Sequence, residues 1–238
     1  RLHMVKSSAE TVEAVVPDTN DDIARVASLQ TMLLLKGKDI SARGITVTGE
    51  ARAWLLYITE GGAVQSVQLA REFSIEYESD AVLDEKLTHV ALSVNAAETR
   101  VLNPRKVAVT FEICGELWAY SREELCVSAN AGDTPCRVYA KQERCSATPV
   151  IAVTEKTFVL TEQFAFADSK PQPAALLSQN VEYELAEINV ISGRAVVKGN
   201  VRLKLCYASD GADYPVTAEF SSPFSHLIDV PDTDTSGC

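Results

Sequence analysis

Residues 195–207 read Ala195-Val196-Val197-Lys198-Gly199-Asn200-Val201-Arg202-Leu203-Lys204-Leu205-Cys206-Tyr207. Ala195, Val197, Gly199, Val201, Leu203, Leu205 and Tyr207 point one way, and Val196, Lys198, Asn200, Arg202, Lys204 and Cys206 the other. A period of two with one apolar set marks a strand with a buried face and a wet face. The same pattern stands 150 residues upstream (207 − 57), where Ile45, Val47, Gly49, Ala51, Ala53, Leu55 and Tyr57 form the apolar set. Its outer face differs, because Trp54, Leu56 and Ile58 make an apolar stripe there. Such a stripe needs either a covering neighbour or a partner, so these three residues are the candidate interface. After each strand, Glu60-Gly61-Gly62 or Asp210-Gly211 reverses the chain into another strand.

Working outward, the two passages prove to be copies. Asp18 matches Asp168, Ile23-Ala24-Arg25-Val26 runs against Pro173-Ala174-Ala175-Leu176, and Thr48-Gly49 against Lys198-Gly199. After a one-residue slip, Phe73-Ser74 meets Phe224-Ser225. A register held over roughly sixty residues points to one structural unit built twice. Before each long strand come a β-prone stretch, residues 11–16 or 161–166, and a turn, Pro17-Asp18-Thr19-Asn20 or Asp168-Ser169-Lys170-Pro171. These turns are rich in capping side chains, and Ile23, Val26 and Ala27, like Leu176 and Leu177, follow at helical spacing. The pattern predicts a short capped helix of about two turns in each copy. Asp18, Asp21 and Asp22 then serve the helix N-terminus rather than catalysis.

Between the copies lies a degenerate echo. Val107, Val109, Phe111, Ile113, Gly115, Leu117 and Ala119 alternate with polar and mixed residues, after a strand-like stretch at 89–95 and a turn at Asn103-Pro104. The expected fold is mainly β, with β-sandwich-like units repeated in tandem and one short helix in each main repeat. The expected organisation is a first repeat at 9–83, a β-rich middle unit at 84–148 and a second repeat at 149–231. The ends, 1–8 and 232–238, are polar and read as terminal arms or tails.

Charge and composition exclude several functions. A net charge of −11 without any Lys/Arg cluster argues against a nucleic-acid partner. No apolar run approaches the roughly 18–20 residues of a membrane span, and the best candidate, Met32-Leu33-Leu34-Leu35, is bounded by Lys36 and Lys38. The cysteines form no Cys-x-x-Cys pair, and His3, His89 and His226 lie far apart, so neither a metal nor a cofactor is expected. Cys126, Cys136 and Cys145 are candidates for disulfides in an oxidising setting, and Cys238 for an intermolecular crosslink. Ser225-His226 with Asp229 resembles a triad in composition only, since neighbours on a strand point to opposite faces. No catalytic residue is singled out.

Val16-Pro17-Asp18-Thr19-Asn20-Asp21-Asp22-Ile23-Ala24-Arg25-Val26, Ala167-Asp168-Ser169-Lys170-Pro171, the Val47-Thr48-Gly49 and Val197-Lys198-Gly199 strands and Pro223-Phe224-Ser225-His226-Leu227-Ile228-Asp229-Val230 together resemble the SPOCS-domain family. That family belongs to spore-envelope proteins of endospore-forming Firmicutes. The chain departs from the family's helix entry at Asp21, Ala167 and Gln172. Relatives in coat assembly often carry a LysM module after the array, and none is seen in these 238 residues, so glycan recruitment is not carried over.

What the resemblance implies is a non-enzymatic structural protein of the spore surface or coat, made in the mother cell. It would act by self-association or by binding other spore-envelope proteins, by sheet-edge pairing and burial of apolar stripes. An extracellular appendage or filament subunit is a further form of that role. The alternative is a small-ligand or glycan-binding module using Trp118, Tyr120 and Tyr139.

Overall fold

The computed structural model describes residues 1–80, 87–121, 150, 152–191, 193–210, 212 and 214–230. Nine strands occur among them: β1 (Leu2–Val15), β2 (Ile23–Ser41), β3 (Gly44–Thr59), β4 (Val64–Glu78), β5 (Thr88–Asn103), β6 (Lys106–Ala119), β7 (Ala175–Ile191), β8 (Arg194–Ala208) and β9 (Val216–Asp229). They form three antiparallel sheets, ordered β1-β6-β5, β2-β3-β4 and β7-β8-β9. The first two stack into a sandwich. β1 lies over β4 and β5 over β2, which leaves β6 facing β3. Val47, Ala51, Leu55 and Tyr57 of β3 share one core with Val107, Val109, Phe111, Ile113 and Leu117 of β6, all fully buried.

The alternation read from residues 45–57 thus gives the buried face of β3, and the mainly β architecture follows. The expected helices do not form, and no helix occurs among the described residues. Their residues are strand. β2 carries bulges between Ile23 and Arg25 and between Val26 and Ser28. Each bulge inserts one extra residue, so Ile23, Val26 and Leu29 reach the same face at a spacing of three. Bulges therefore imitate helical periodicity. The capping residues form turns instead, closed by Asn20 N–H to Pro17 O at 2.9 Å and Lys170 N–H to Ala167 O at 2.9 Å.

The N-terminal residues and the described part of the middle unit are strand as well. Residues 2–8 are the first half of β1 and pair with β6, so this stretch is neither arm nor tail. The middle hairpin β5–β6 completes the first sandwich. Residues 232–238 lie outside the described residues.

The third sheet repeats the second, strand for strand. Bulges at Val26/Ser28 and Leu35/Gly37 recur at Leu176/Ser178 and Leu185/Glu187, again 150 residues apart (176 − 26). Gly49 pairs with Phe73 and Gly199 with Phe224. In both pairs the outer end of the phenylalanine ring, Cζ and Cε1, reaches the space a Cβ on the glycine would take. A Cβ on Gly199 would stand 2.7 Å from Phe224 Cζ, and one on Gly49 2.7 Å from Leu34 O. A glycine kink filled by a cross-strand aromatic keeps the backbone close and the surface continuous.

Candidate interaction surface

Tyrosines anchor the turn ahead of each long strand pair. Tyr57 donates to Gln65 Oε1 at 3.0 Å and reaches Asp21 O at 3.3 Å. Tyr207 donates to Pro171 O at 3.0 Å. Burial pushes the Tyr57 phenol up. In the first copy Arg105 adds a second anchor. Its guanidinium donates to Val16 O, Pro17 O and Asn20 O and to Asp22 Oδ1, the last at 2.8 Å, and so ties the turn to the β5–β6 hairpin.

The stripe chosen from the sequence lies on the outer face of β3. Trp54 is only 5% exposed, and Leu56 and Ile58 are half-buried. β7 approaches β3 and β4 on that side, and Gln179 lines a small cavity with Trp54. Trp54 Nε1 and Gln30 Oε1, cross-strand neighbours, are both buried with no hydrogen-bond partner among the described residues. Cys126, Cys136, Cys145 and Cys238 lie outside the described residues. Cys114 is buried and Cys206 half-buried, both as free thiols, and burial pushes the Cys206 thiol up. Trp118 stacks with His3 at 5.0 Å on one flanking strand and His89 at 5.6 Å on the other, which occupies both faces of its indole. Tyr139 lies outside the described residues. His226 stacks on Phe158, away from Ser225. No group of three His, Cys, Asp or Glu side chains among the described residues is placed to hold a metal ion. No helix among them is long and apolar enough to cross a membrane.

The surface that sequence reasoning missed is the inner face of the third sheet. Residues 152–166 stand 150 after 2–16 and take the place of β1. Like β1 over β4, they cover β9: Phe158 packs on Phe224, Phe164 on Phe220, and Phe166 on Phe220 and Tyr207. Lys156 Nζ pins the segment to Leu227 O at 2.7 Å. Yet residues 152–166 have no strand partner among the described residues, and no described strand of a second layer lies over the inner face of β7. In the first copy β6 and β5 fill those places.

The consequence is an open apolar face. Val181, Tyr183, Leu185, Ile188 and Val190 of β7 pair with inner-face residues Leu203, Val201, Gly199, Val197 and Ala195 of β8. Tyr183 is 74% exposed, Leu185 57%, Ile188 55% and Val190 66%. A cavity of about 600 Å³ runs between the covering segment and the sheet, lined by Phe158, Leu160, Phe164, Val181, Tyr183 and Leu203, with Lys156 and Glu162 also on its wall. The outer face of the same strands is polar and internally satisfied, with Lys204 on Glu182 at 2.9 Å and Lys198 on Glu187 at 3.2 Å. These neighbours hold both carboxyls below the usual carboxylate range: the Lys204 ammonium acts on Glu182, and the Asn189 amide and then Lys198 act on Glu187. The signal for the missed face is the run Val181-Glu182-Tyr183-Glu184-Leu185, strictly alternating.

Residues 174–237 match the family model described as SipL, SPOCS domain. No curated protein and no solved structure matches the chain. The family match covers the three-stranded sheet whose inner face is open.

Proposed function

We propose, from the premise that this sporulation-associated chain carries a SPOCS domain at residues 174–237, that it is a non-enzymatic structural protein which builds part of the spore surface layer. The observation that carries the reading is the unequal covering of two equal sheets. Where the first copy has Leu33 and Ile40 half-buried and Leu35 at 45% exposure, the second has Tyr183 at 74%, Val190 at 66% and Leu185 at 57%. Contiguous apolar surface on a folded protein is characteristic of an interaction site. A three-stranded sheet with one bare apolar face is a place to seat another sheet, and a flat, wide face of this kind suits a protein partner better than a substrate.

The role fits the rest of the molecule. Sandwich and sheet are built from long strands of 14 to 19 residues, tied by cross-strand ion pairs, as a load-carrying element requires. Cys126, Cys136, Cys145 and Cys238 offer sites for covalent reinforcement once such an assembly has formed. An appendage or filament would need a further interface on each copy, and β2 and β4, the edge strands of their sheet among the described residues, are candidates for it.

The test is light scattering after gel filtration, with and without reductant, joined to immunolocalisation of the protein in sporulating cells. Association in solution together with labelling of the spore surface is the expected result. A protein that stays in the mother-cell cytosol and leaves the spore layers unchanged on deletion would refute the role.

A further inference from the structure

We infer that the open face is closed by the same face of a second copy of this chain, with residues 152–166 of each copy adding as a strand to the partner's β7. The inference rests on the assembly role proposed above and names the partner for that face. It comes from what covers the face in the first copy. There the cover layer has three strands, with β1 over β4, β6 facing β3 and β5 over β2. In the second copy the described cover is one segment wide, residues 152–166 over β9 with Phe166 reaching Tyr207 of β8, and no strand among the described residues stands over β8 or β7. The vacancy is two strands wide, and so is the uncovered part of the sheet that borders it. The face is therefore complementary to itself.

A two-fold axis running along the strands, midway between the layers, satisfies both halves at once. It sets β7 of one copy over β8 of the other, and the reverse. Residues 152–166 of the first copy then lie in the same layer as the partner's β7, directly beside it. Among the described residues β7 is an edge strand, hydrogen-bonded only to β8 within its sheet, so its outer N–H and C=O groups have no strand partner there. Direction agrees as well. The chain passes from 152–166 through the turn at 167–174 into β7, so the two run antiparallel, as β1 and β2 do in the first copy. Rotation about an axis along the strands preserves that direction, and antiparallel addition follows. The product is an eight-stranded sandwich of two four-stranded layers, each made of β9, β8, β7 and the partner's 152–166. Isologous closure of this kind is the commonest symmetry among soluble oligomers.

The decisive test pairs sedimentation velocity with hydrogen exchange on the full chain. A dimer of about twice 25.8 kDa is expected, with the amides of 152–166 and of β7 protected. Tyr183→Asp with Ile188→Asp should weaken the dimer by about 100-fold or more and unprotect residues 152–166. Both side chains are more than half exposed in one copy, so the single chain should keep its far-ultraviolet circular dichroism. Val5→Asp with Val101→Asp, exposed apolar positions of the first sandwich, should leave the dimer intact. A wild-type chain that is monomeric across the micromolar range overturns the inference, as does an oligomer indifferent to the Tyr183/Ile188 pair. The same variants in sporulating cells separate this inference from the role. A monomer whose Tyr183/Ile188 variant fails to reach the spore layer keeps the assembly role and assigns the face to another protein. A dimer whose disruption leaves incorporation untouched keeps the second copy and removes the role.

Discussion

Gly49→Ala adds a single methyl group where the first sandwich has no room for it. The new Cβ would stand 2.7 Å from Leu34 O and 2.7 Å from Phe73 Cε1, against about 3.4–4 Å for relaxed contact between such atoms. The ring can swing aside, but the carbonyl belongs to β2 and moves only if the β2–β3 ladder opens. Overpacking of this kind costs about 1–3 kcal/mol. The substitution also stiffens the unfolded chain, which returns about 0.4–1 kcal/mol. A net loss of about 1–2 kcal/mol is expected. Trp54 and Trp118, the only tryptophans among the 238 residues, both lie in the first sandwich, so intrinsic fluorescence in urea reports that unit alone. The control is Gly199→Ala, which crowds Phe224 in the third sheet and should leave the tryptophan transition in place while lowering the transition seen by circular dichroism. Adding Phe73→Leu separates ring from carbonyl. If the ring supplies the clash, Gly49→Ala costs less in that background by at least about 0.5 kcal/mol. A Gly49→Ala protein as stable as wild type would refute the claim that the repeated glycine–phenylalanine pair exists for want of space.

Arg105→Ala removes the guanidinium that holds the turn at 16–22 to the β5–β6 hairpin, and the urea midpoint by tryptophan fluorescence should fall by an amount equivalent to about 1–2 kcal/mol, discounted for partial exposure. Arg105→Lys should recover only part of it, because an ammonium cannot span the same set of acceptors. Tyr77 is buried with a hydroxyl that has no hydrogen-bond partner among the described residues, so Tyr77→Phe should be neutral or stabilising at pH 7 by thermal melting. Burial pushes the Tyr77 phenol up to about 12, above its ordinary value of about 10. Between those two values the unfolded chain gives up the proton while the folded chain keeps it. Stability should therefore fall as pH rises through that window, and Tyr77→Phe should flatten the fall. Tyr207→Phe loses the bond to Pro171 O and should loosen the turn at 167–174 by about 0.5–1.5 kcal/mol, read as faster amide exchange there.

Strands β3 and β8 were legible because their alternation is uninterrupted, and a two-residue period over thirteen residues has few other readings. The same rule failed on β2 and β7 for a definite reason. A bulge after Val26 and another after Leu176 shift the register by one, so apolar residues three apart share a face and mimic one side of a helix. On β7 the bulge after Leu185 moves the inner face from odd numbers, Val181, Tyr183 and Leu185, to even ones, Ile188 and Val190. No single period describes that strand, which is why its bare face went unseen. Residues 2–8 looked like a tail because their partner, 113–119 of β6, is more than a hundred positions away, and a non-local pairing leaves no local trace. The Trp54 stripe was visible as an apolar anomaly, but which side of the molecule lies over it depends on where the third sheet sits.

Two sheets of the same strand order and bulge register, covered unequally, pose an energetic problem that association resolves. Burying an apolar side chain of this size gains about 1.5–3 kcal/mol. Tyr183, Leu185, Ile188 and Val190 have more than half of that still to gain. Counted in two copies, this amounts to roughly 7–15 kcal/mol, against about 4–15 kcal/mol for the loss of free translation, rotation and side-chain motion on association. The apolar face alone thus brings two copies close to balance. The remaining weight falls on the backbone of residues 152–166, which gains bonds to the partner's β7 without folding anew, since Phe158, Phe164 and Phe166 already hold it against β9. A strand fixed in place before its partner arrives loses little entropy on pairing. Phe164→Ala with Phe166→Ala should therefore weaken dimerisation by loosening residues 152–166, and sedimentation should show the loss even where Tyr183 and Ile188 are intact.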